Sequence, residues 1–195
     1  MKKGKQTMKK LLSILLALAL MLGCVSALAE ATPAESNLET FEFDDFTMVF
    51  DADMIGEIYE KAENQVYFQL YPFYDETAAV NANINCVWSS AVEDLTQVDA
   101  NAFASTVLST MMPQFEELGM KAENAMVLLA QPDEQDGKYA LSYLAQYDLN
   151  GITLYMMQAV VSDAAFGTYT FTVTFGDLAE MEALTEIVNT IKWTK

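Results

Sequence analysis

Residues 124–161 read NAMVLLAQPDEQDGKYALSYLAQYDLNGITLYMMQAVV, and this stretch decides the fold class. Asp136-Gly137 and Asn150-Gly151 are two-residue hairpin signals, because both central positions of the favoured turn need a positive φ that Asn, Asp and Gly tolerate. They predict three antiparallel strands, Asn124–Gln131, Tyr139–Leu149 and Ile152–Val161. Counting outward from each turn places Tyr147 between Met126 and Leu154, and Ala145 between Leu128 and Met156. The middle strand carries large side chains at successive positions, Tyr143 and Leu144. It is therefore expected to be covered on both faces.

Further strands flank this meander. Thr168, Thr170, Thr172 and Thr174 alternate with Tyr169, Phe171, Val173 and Phe175. Phe41 and Phe43 alternate with acids, Asp44-Asp45 makes a turn, and Phe46, Met48 and Phe50 alternate again. Val66–Phe73 reads as a strand, as does Ala79–Ser89, which places Val80, Ala82, Ile84, Cys86 and Trp88 on one face and Asn81, Asn83 and Asn85 on the other. Each polar row, asparagine or threonine, is expected to be a solvated outer face, with an open ligand-receiving face as the alternative reading. Asp51–Gln65 is ambiguous: a helix would put Asp53, Glu57 and Glu60 on one side and Met54, Ile58 and Ala62 on another, but Gly56 weakens it.

Two helices stand out. The first runs from about Asp99 to Leu118, with Phe103, Val107, Met111, Phe115 and Leu118 as its apolar stripe and Gly119 as its stop. Pro113 inside it is expected to kink or break it near Ser109. The second starts with Asp177 as N-cap and Glu180 three residues on, and buries Met181, Leu184, Val188 and Ile191. The order predicts an α+β fold, an antiparallel sheet of about six strands with helices packed on it in three layers.

The whole chain of 195 residues has a formal charge of −18, but the total joins two unlike parts. Residues 1–29 hold five lysines, an apolar run Leu11–Leu22 and an Ala27-Leu28-Ala29 end, the pattern of a secretory signal peptide. Met21-Leu22-Gly23-Cys24 gives a lipobox-like alternative, with Cys24 as a lipid-bearing N-terminus. Residues 30–37 read as a flexible leader, and 38–195 as a single domain. No later run is long and apolar enough for an integral membrane span. The expected location is secreted or cell-envelope extracytoplasmic.

Residues 30–195 carry five lysines against 28 acids, and the chain has no Arg and no His. Ser-His and Cys-His pairs, arginine clamps and imidazole metal sites are excluded. The charge also argues against nucleic acid and anionic lipid. Cys86 alone remains after the signal peptide and reads as an inert buried thiol. Met156 and Met157 point to opposite faces of a strand and cannot share a metal. Asp148 abuts the Asn150-Gly151 turn and reads as a turn aspartate, not a catalytic acid. For Ca²⁺ only Asp51-Ala52-Asp53 and Asp133–Gly137 offer oxygen-rich segments, and neither has EF-hand spacing. No enzyme, cofactor or metal site is expected.

Three stretches carry a family resemblance: Phe46-Thr47-Met48-Val49-Phe50 as an opening strand, Glu116-Glu117-Leu118-Gly119 closing the first helix, and Val188-Asn189-Thr190-Ile191-Lys192-Trp193 closing the second. With the β-meander between them, residues 38–194 resemble the PsbP-like fold. The Pro-x-x-Trp usual after its opening strand is absent, since Asp51-Ala52-Asp53 follows Phe50. The resemblance implies an α/β/α sandwich and a non-catalytic binding or accessory role, and it carries no catalytic residue over. The acidic charge points to a basic protein or peptide as partner, with Asp51, Asp53, Glu57 and Glu60 as the contact patch. The alternatives are a carrier of a small apolar ligand or lipid and, behind it, an acid-residue hydrolase.

Overall fold

The computed structural model describes residues 37–195 apart from Ala79. The expected signal peptide, Cys24 and nearly all of the leader lie outside the described residues. Among the described residues the elements run β1 (Leu38–Glu42), β2 (Phe46–Asp51), β3 (Ile55–Ile58), β4 (Gln65–Tyr71), β5 (Asn83–Ser89), α1 (Ala100–Glu117), β6 (Ala122–Gln135), β7 (Lys138–Leu149), β8 (Ile152–Asp163), β9 (Gly167–Phe175), α2 (Met181–Asn189) and β10 (Lys192–Trp193). The strands form an antiparallel seven-stranded sheet ordered β3-β4-β5-β9-β8-β7-β6 and a three-stranded sheet ordered β1-β2-β10.

The large sheet is the middle layer, as the two-sided apolar character of β7 requires. On one face α1 buries Val107, Met111 and Phe115 against Tyr143, Tyr147 and Leu154. On the other, the small sheet and α2 bury Phe46, Met48, Leu184 and Val188 against Phe68, Ile84, Tyr169 and Phe171. One outer layer is thus part sheet, because the closing residues Lys192–Trp193 leave helix and pair with Phe46–Thr47.

The meander keeps its predicted hairpins. Asp136 and Asn150 take φ of 49° and 53°, followed by Gly137 and Gly151 at 79° and 81°. Tyr147 pairs with Leu154 and Ala145 with Met156 as expected. On the other side Tyr147 does not face Met126: Met126 pairs with Gln146, and Val127 with Ala145. Register shifts between Val127 and Leu129 and between Glu123 and Met126 displace the strand by one residue each time, and an alternation count cannot see an inserted bulge residue.

Three further expectations are corrected. Asp51–Gln65 is not helical: β3 pairs with β4 at Gly56↔Leu70 and Glu57↔Gln69. A Cβ on Gly56 would sit 2.7 Å from the Gln69 carbonyl oxygen, so glycine here lets β3 lie tight on β4. Helix α1 runs unbroken through Pro113. Asp99 caps it, its carboxylate accepting from the Ala102 N–H at 2.7 Å, and the buried Met111 and Phe115 on either side of Pro113 hold the segment to the sheet. The asparagine and threonine rows are neither solvated nor open. Asn83 pairs with Thr174 and Asn85 with Thr172, and all four are buried. Tyr143 OH donates to Gln158 Oε1 at 2.6 Å, and Gln158 Nε2 donates to Thr172 Oγ1 at 2.8 Å. A row Gln69–Asn85–Thr172–Gln158–Tyr143 therefore crosses five strands within the α1-side layer.

Gly167 begins β9 at φ +90°, where an added Cβ would lie 2.3 Å from the Ser89 carbonyl oxygen. Gly167→Ala is expected to cost about 3 kcal/mol or more, from left-handed strain plus a backbone clash. Gly137→Ala, at φ +79° in open space, should cost about 1 kcal/mol. Urea unfolding of the two variants gives the comparison, and equal losses would contradict this account of Gly167.

Candidate binding surface

The Asp44-Asp45 turn predicted from sequence holds a buried carboxylate. Asp45 is 1% exposed. Its Oδ1 accepts from Lys195 Nζ at 2.5 Å, and its Oδ2 from Lys61 Nζ and from Tyr169 OH, the latter at 2.6 Å. The backbone joins in: Asp45 C=O accepts from Thr194 N–H at 2.9 Å, and Asp44 N–H donates to Tyr67 OH at 3.0 Å. Lys61 Nζ lies 4.4 Å from the Trp88 ring centroid and 5.2 Å from that of Tyr169, close enough for cation–π attraction. Burial pushes the Asp45 carboxyl upward, but hydrogen bonds from Lys195, Lys61 and Tyr169 together outweigh it and hold the group below its usual range. Burial, then the hydrogen bond to Asp45, drives the Tyr169 hydroxyl far above its ordinary value. Both carboxylate oxygens face donors already in place, so this centre serves as a clasp between elements. Its partners lie 16, 124 and 150 residues from Asp45, and no local pattern in the sequence announces it.

A second acid missed by pattern reading is Asp136. Beyond shaping the hairpin turn, it accepts from Lys192 Nζ at 3.0 Å and from Trp193 N–H at 2.9 Å. These bonds hold its carboxyl below the usual range. Trp193 then stacks on Phe166 with centroids 4.4 Å apart and donates through Nε1 to Gln135 C=O. The lysines follow one rule. Lys61, Lys121, Lys138, Lys192 and Lys195 each have Nζ within 3.0 Å of a carboxylate of Asp45, Glu123, Asp163, Asp136 or Asp45 respectively.

The four predicted contact acids run from the end of β2 in the small sheet to the residues just after β3, an edge strand of the large one. Asp51 ends β2 and caps the following turn, its Oδ1 accepting from Asp53 N–H at 2.9 Å. Glu57 stands in the edge strand β3, and Glu60 follows it. Asp53, Glu57 and Glu60 are exposed and Asp51 is half-buried. They occupy successive positions along a turn and strand, without the common helical face first considered. Glu57 is the one with a defined aromatic setting. Tyr59 OH donates to its Oε2, which pushes the Tyr59 hydroxyl up to about 12. Tyr71, on the paired strand, is pushed up by its own burial and then by the Glu57 charge.

Elsewhere the chemistry-bearing groups are tied down. Cys86 is fully buried, and desolvation raises its thiol well above the ordinary value. Asp148 accepts from Asn124 Nδ2 at 2.6 Å and Thr153 Oγ1 at 2.8 Å, which lower its carboxyl. Asp133 accepts from Ser142 Oγ at 2.6 Å. Met156 and Met157 enter opposite layers. Among the described residues no three of Asp, Glu and Cys gather as a metal-binding group, and no helix is long and apolar enough to cross a membrane. Two shallow grooves flank β6: one of about 220 Å³ between α1 and Ala125–Val127, the other of about 150 Å³ between the meander and α2.

Neither a protein-family model nor a curated protein matches the chain. Solved structures do. The cyanobacterial PsbP (CyanoP) of Synechocystis sp. PCC 6803 superposes with a TM-score of 0.58 at 12% identity, covering 85% of this chain and 97% of that one. The fold is PsbP-like. The Ran-binding protein Mog1p of Saccharomyces cerevisiae also matches, with a TM-score of 0.48 at 12% identity over 81% of this chain and 96% of that one. At these identities the PsbP-like architecture is what the likeness establishes, and the contacts of this chain rest on its own residues.

Asp45→Asn is expected to destabilise the PsbP-like fold by about 3 kcal/mol, the usual cost of leaving buried charges unpaired. The pH dependence has a definite sign. Because the folded carboxyl lies below its ordinary value, its stabilisation is present above about pH 4 and is lost as pH falls through the lower folded value. Wild type should therefore lose more stability than Asp45→Asn on acidification from pH 5 to pH 3, as measured by urea midpoints. A larger loss in the variant would overturn the role assigned to this carboxylate.

Proposed function

We propose that this chain is a secreted, non-catalytic binding or accessory domain of the bacterial cell envelope or exterior that recognises a basic protein or peptide. One observation carries the reading. All five lysines of the described residues sit against carboxylates, while residues 30–195 hold 28 acids. No cation of the described residues stands apart to soften the negative field. Such a field speeds encounter with cationic partners and repels acidic ones, nucleic acid among them. The lysine-rich, apolar N-terminal segment supports export. A binding role also agrees with the buried centre at Asp45, whose oxygens are held by the chain's own donors, and Asp51, Asp53, Glu57 and Glu60 offer an acidic stretch.

Capture experiments on culture medium and envelope extract, with the mature chain immobilised, test the reading. The expected partner is a basic protein that binds at 50 mM salt and elutes by 500 mM, since screening shortens the reach of surface charge from roughly 13 Å to about 4 Å over that range. Recovery of nothing, or only of partners indifferent to salt, would sink it.

A further inference from the structure

The two free edges of the large sheet differ. β6 is long and carries Pro132 and two register shifts, devices that discourage an incoming strand. β3 has neither: Ile55–Ile58 pairs with β4 in unbroken register, and among the described residues no strand lies along its other edge. Around β3 the exposed side chains are mixed in kind. Ile58, Tyr59 and Phe73 are 52%, 43% and 44% exposed. Glu57 lies between tyrosines. Tyr59 OH donates to its carboxylate, Tyr71 is near enough for the Glu57 charge to raise its hydroxyl, and Tyr74 meets Tyr71 edge-to-face with centroids 6.1 Å apart. Glu57 faces Gln69 across the pair, so Tyr71 is its diagonal neighbour on the same face.

We propose that the β3 edge is a docking site for an extended partner segment, and that Glu57, framed by Tyr59 and Tyr71, receives a lysine or arginine side chain from it. The proposal rests on the preceding reading of a cationic partner and names where it binds. The geometry follows from sheet pairing. A strand added beside β3 places one residue directly opposite Glu57, with Cβ atoms about 4.5–5.5 Å apart on the same face, within reach of an ion pair. Tyr59 holds the carboxylate through one oxygen and leaves the other to accept from the incoming cation. The tyrosine rings add cation–π attraction, which grows as the site is covered. Gly56 contributes by keeping β3 flat against β4 at 2.7 Å from where its Cβ would be. The same acids act as a selectivity device: a second molecule added here would bring its own acids alongside Glu57 and Glu60, so self-pairing is opposed and a cationic strand admitted.

The test uses two capped ten-residue peptides, alternating Arg-Val and alternating Glu-Val, titrated into the ¹⁵N-labelled mature chain at 20 mM salt. The Arg-Val peptide should shift amides of residues 55–59 and 69–74, and the Glu-Val peptide should not bind. Glu57→Gln should weaken the Arg-Val peptide about tenfold, whereas Glu186→Gln, the same charge change on exposed α2, should weaken it less than twofold. Both sites are exposed, so neither change threatens the fold. Shifts confined to another surface, equal weakening by both variants, or no binding to the wild type each overturn the site. The broader reading is judged separately. If salt-sensitive capture of a basic partner persists undiminished with Glu57→Gln as bait, the partner class stands and the β3 site falls.

Discussion

The Asp45 carboxylate holds together four parts of the chain that lie far apart in sequence. It sits in the β1–β2 turn and accepts hydrogen bonds from Lys61 in the β3–β4 connection, Tyr169 in β9 and Lys195 after β10. Apart from it the small sheet rests on the large one by apolar contact, through Phe46, Phe68 and Phe171, and by a few further hydrogen bonds such as those from Asp44 N–H to Tyr67 OH and from Trp193 to Asp136 and Gln135. Apolar contact sets proximity but tolerates sliding. A buried charge does not, because each misplacement leaves an ion without its partner in a medium of low dielectric. Asp136 repeats the device on a smaller scale: one turn aspartate fixes Lys192 and Trp193 and thereby the start of β10.

The same logic runs through the sheet. The polar row from Gln69 to Tyr143 crosses five strands within a layer otherwise filled by Val66, Val87, Val107 and Leu154. A slip of one residue in any of these strands would turn its member of the row to the other face, breaking bonds such as Gln158 to Thr172. Apolar burial provides the driving force, and the polar row specifies which alignment it stabilises. Every lysine of the described residues is paired with a carboxylate, and the acids, which far outnumber the lysines, set the sign of the surface charge.

Much of the architecture was legible in short patterns. The Asp136-Gly137 and Asn150-Gly151 turns, the α1 stripe of Val107, Met111 and Phe115, and the alternation of β9 each express a periodicity that the chain imposes locally. The failures have a common form. Pro113 should break a helix by local rules, yet buried neighbours keep α1 whole. Asp51–Gln65 has helical spacing among its acids, yet Gly56 fits against Leu70 and Gln69 only as part of a strand. Leu128 and its neighbours alternate cleanly, and the bulges that shift them leave no compositional mark.

The candidate surface divides in the same way. Composition alone established that residues 30–195 are dominated by acids and that the chain lacks Arg and His, and so bounded its chemistry. The amino-acid order alone established both helices, most of the strands and the likeness to the PsbP-like fold. Which acids are structural and which face outward was decided only in three dimensions. Nothing in the local sequence marks Asp45 as structural and Glu57 as outward-facing, since a carboxylate's role depends on how many donors and how little water surround it. Those surroundings come from residues up to 150 positions away, and only the folded chain brings them together.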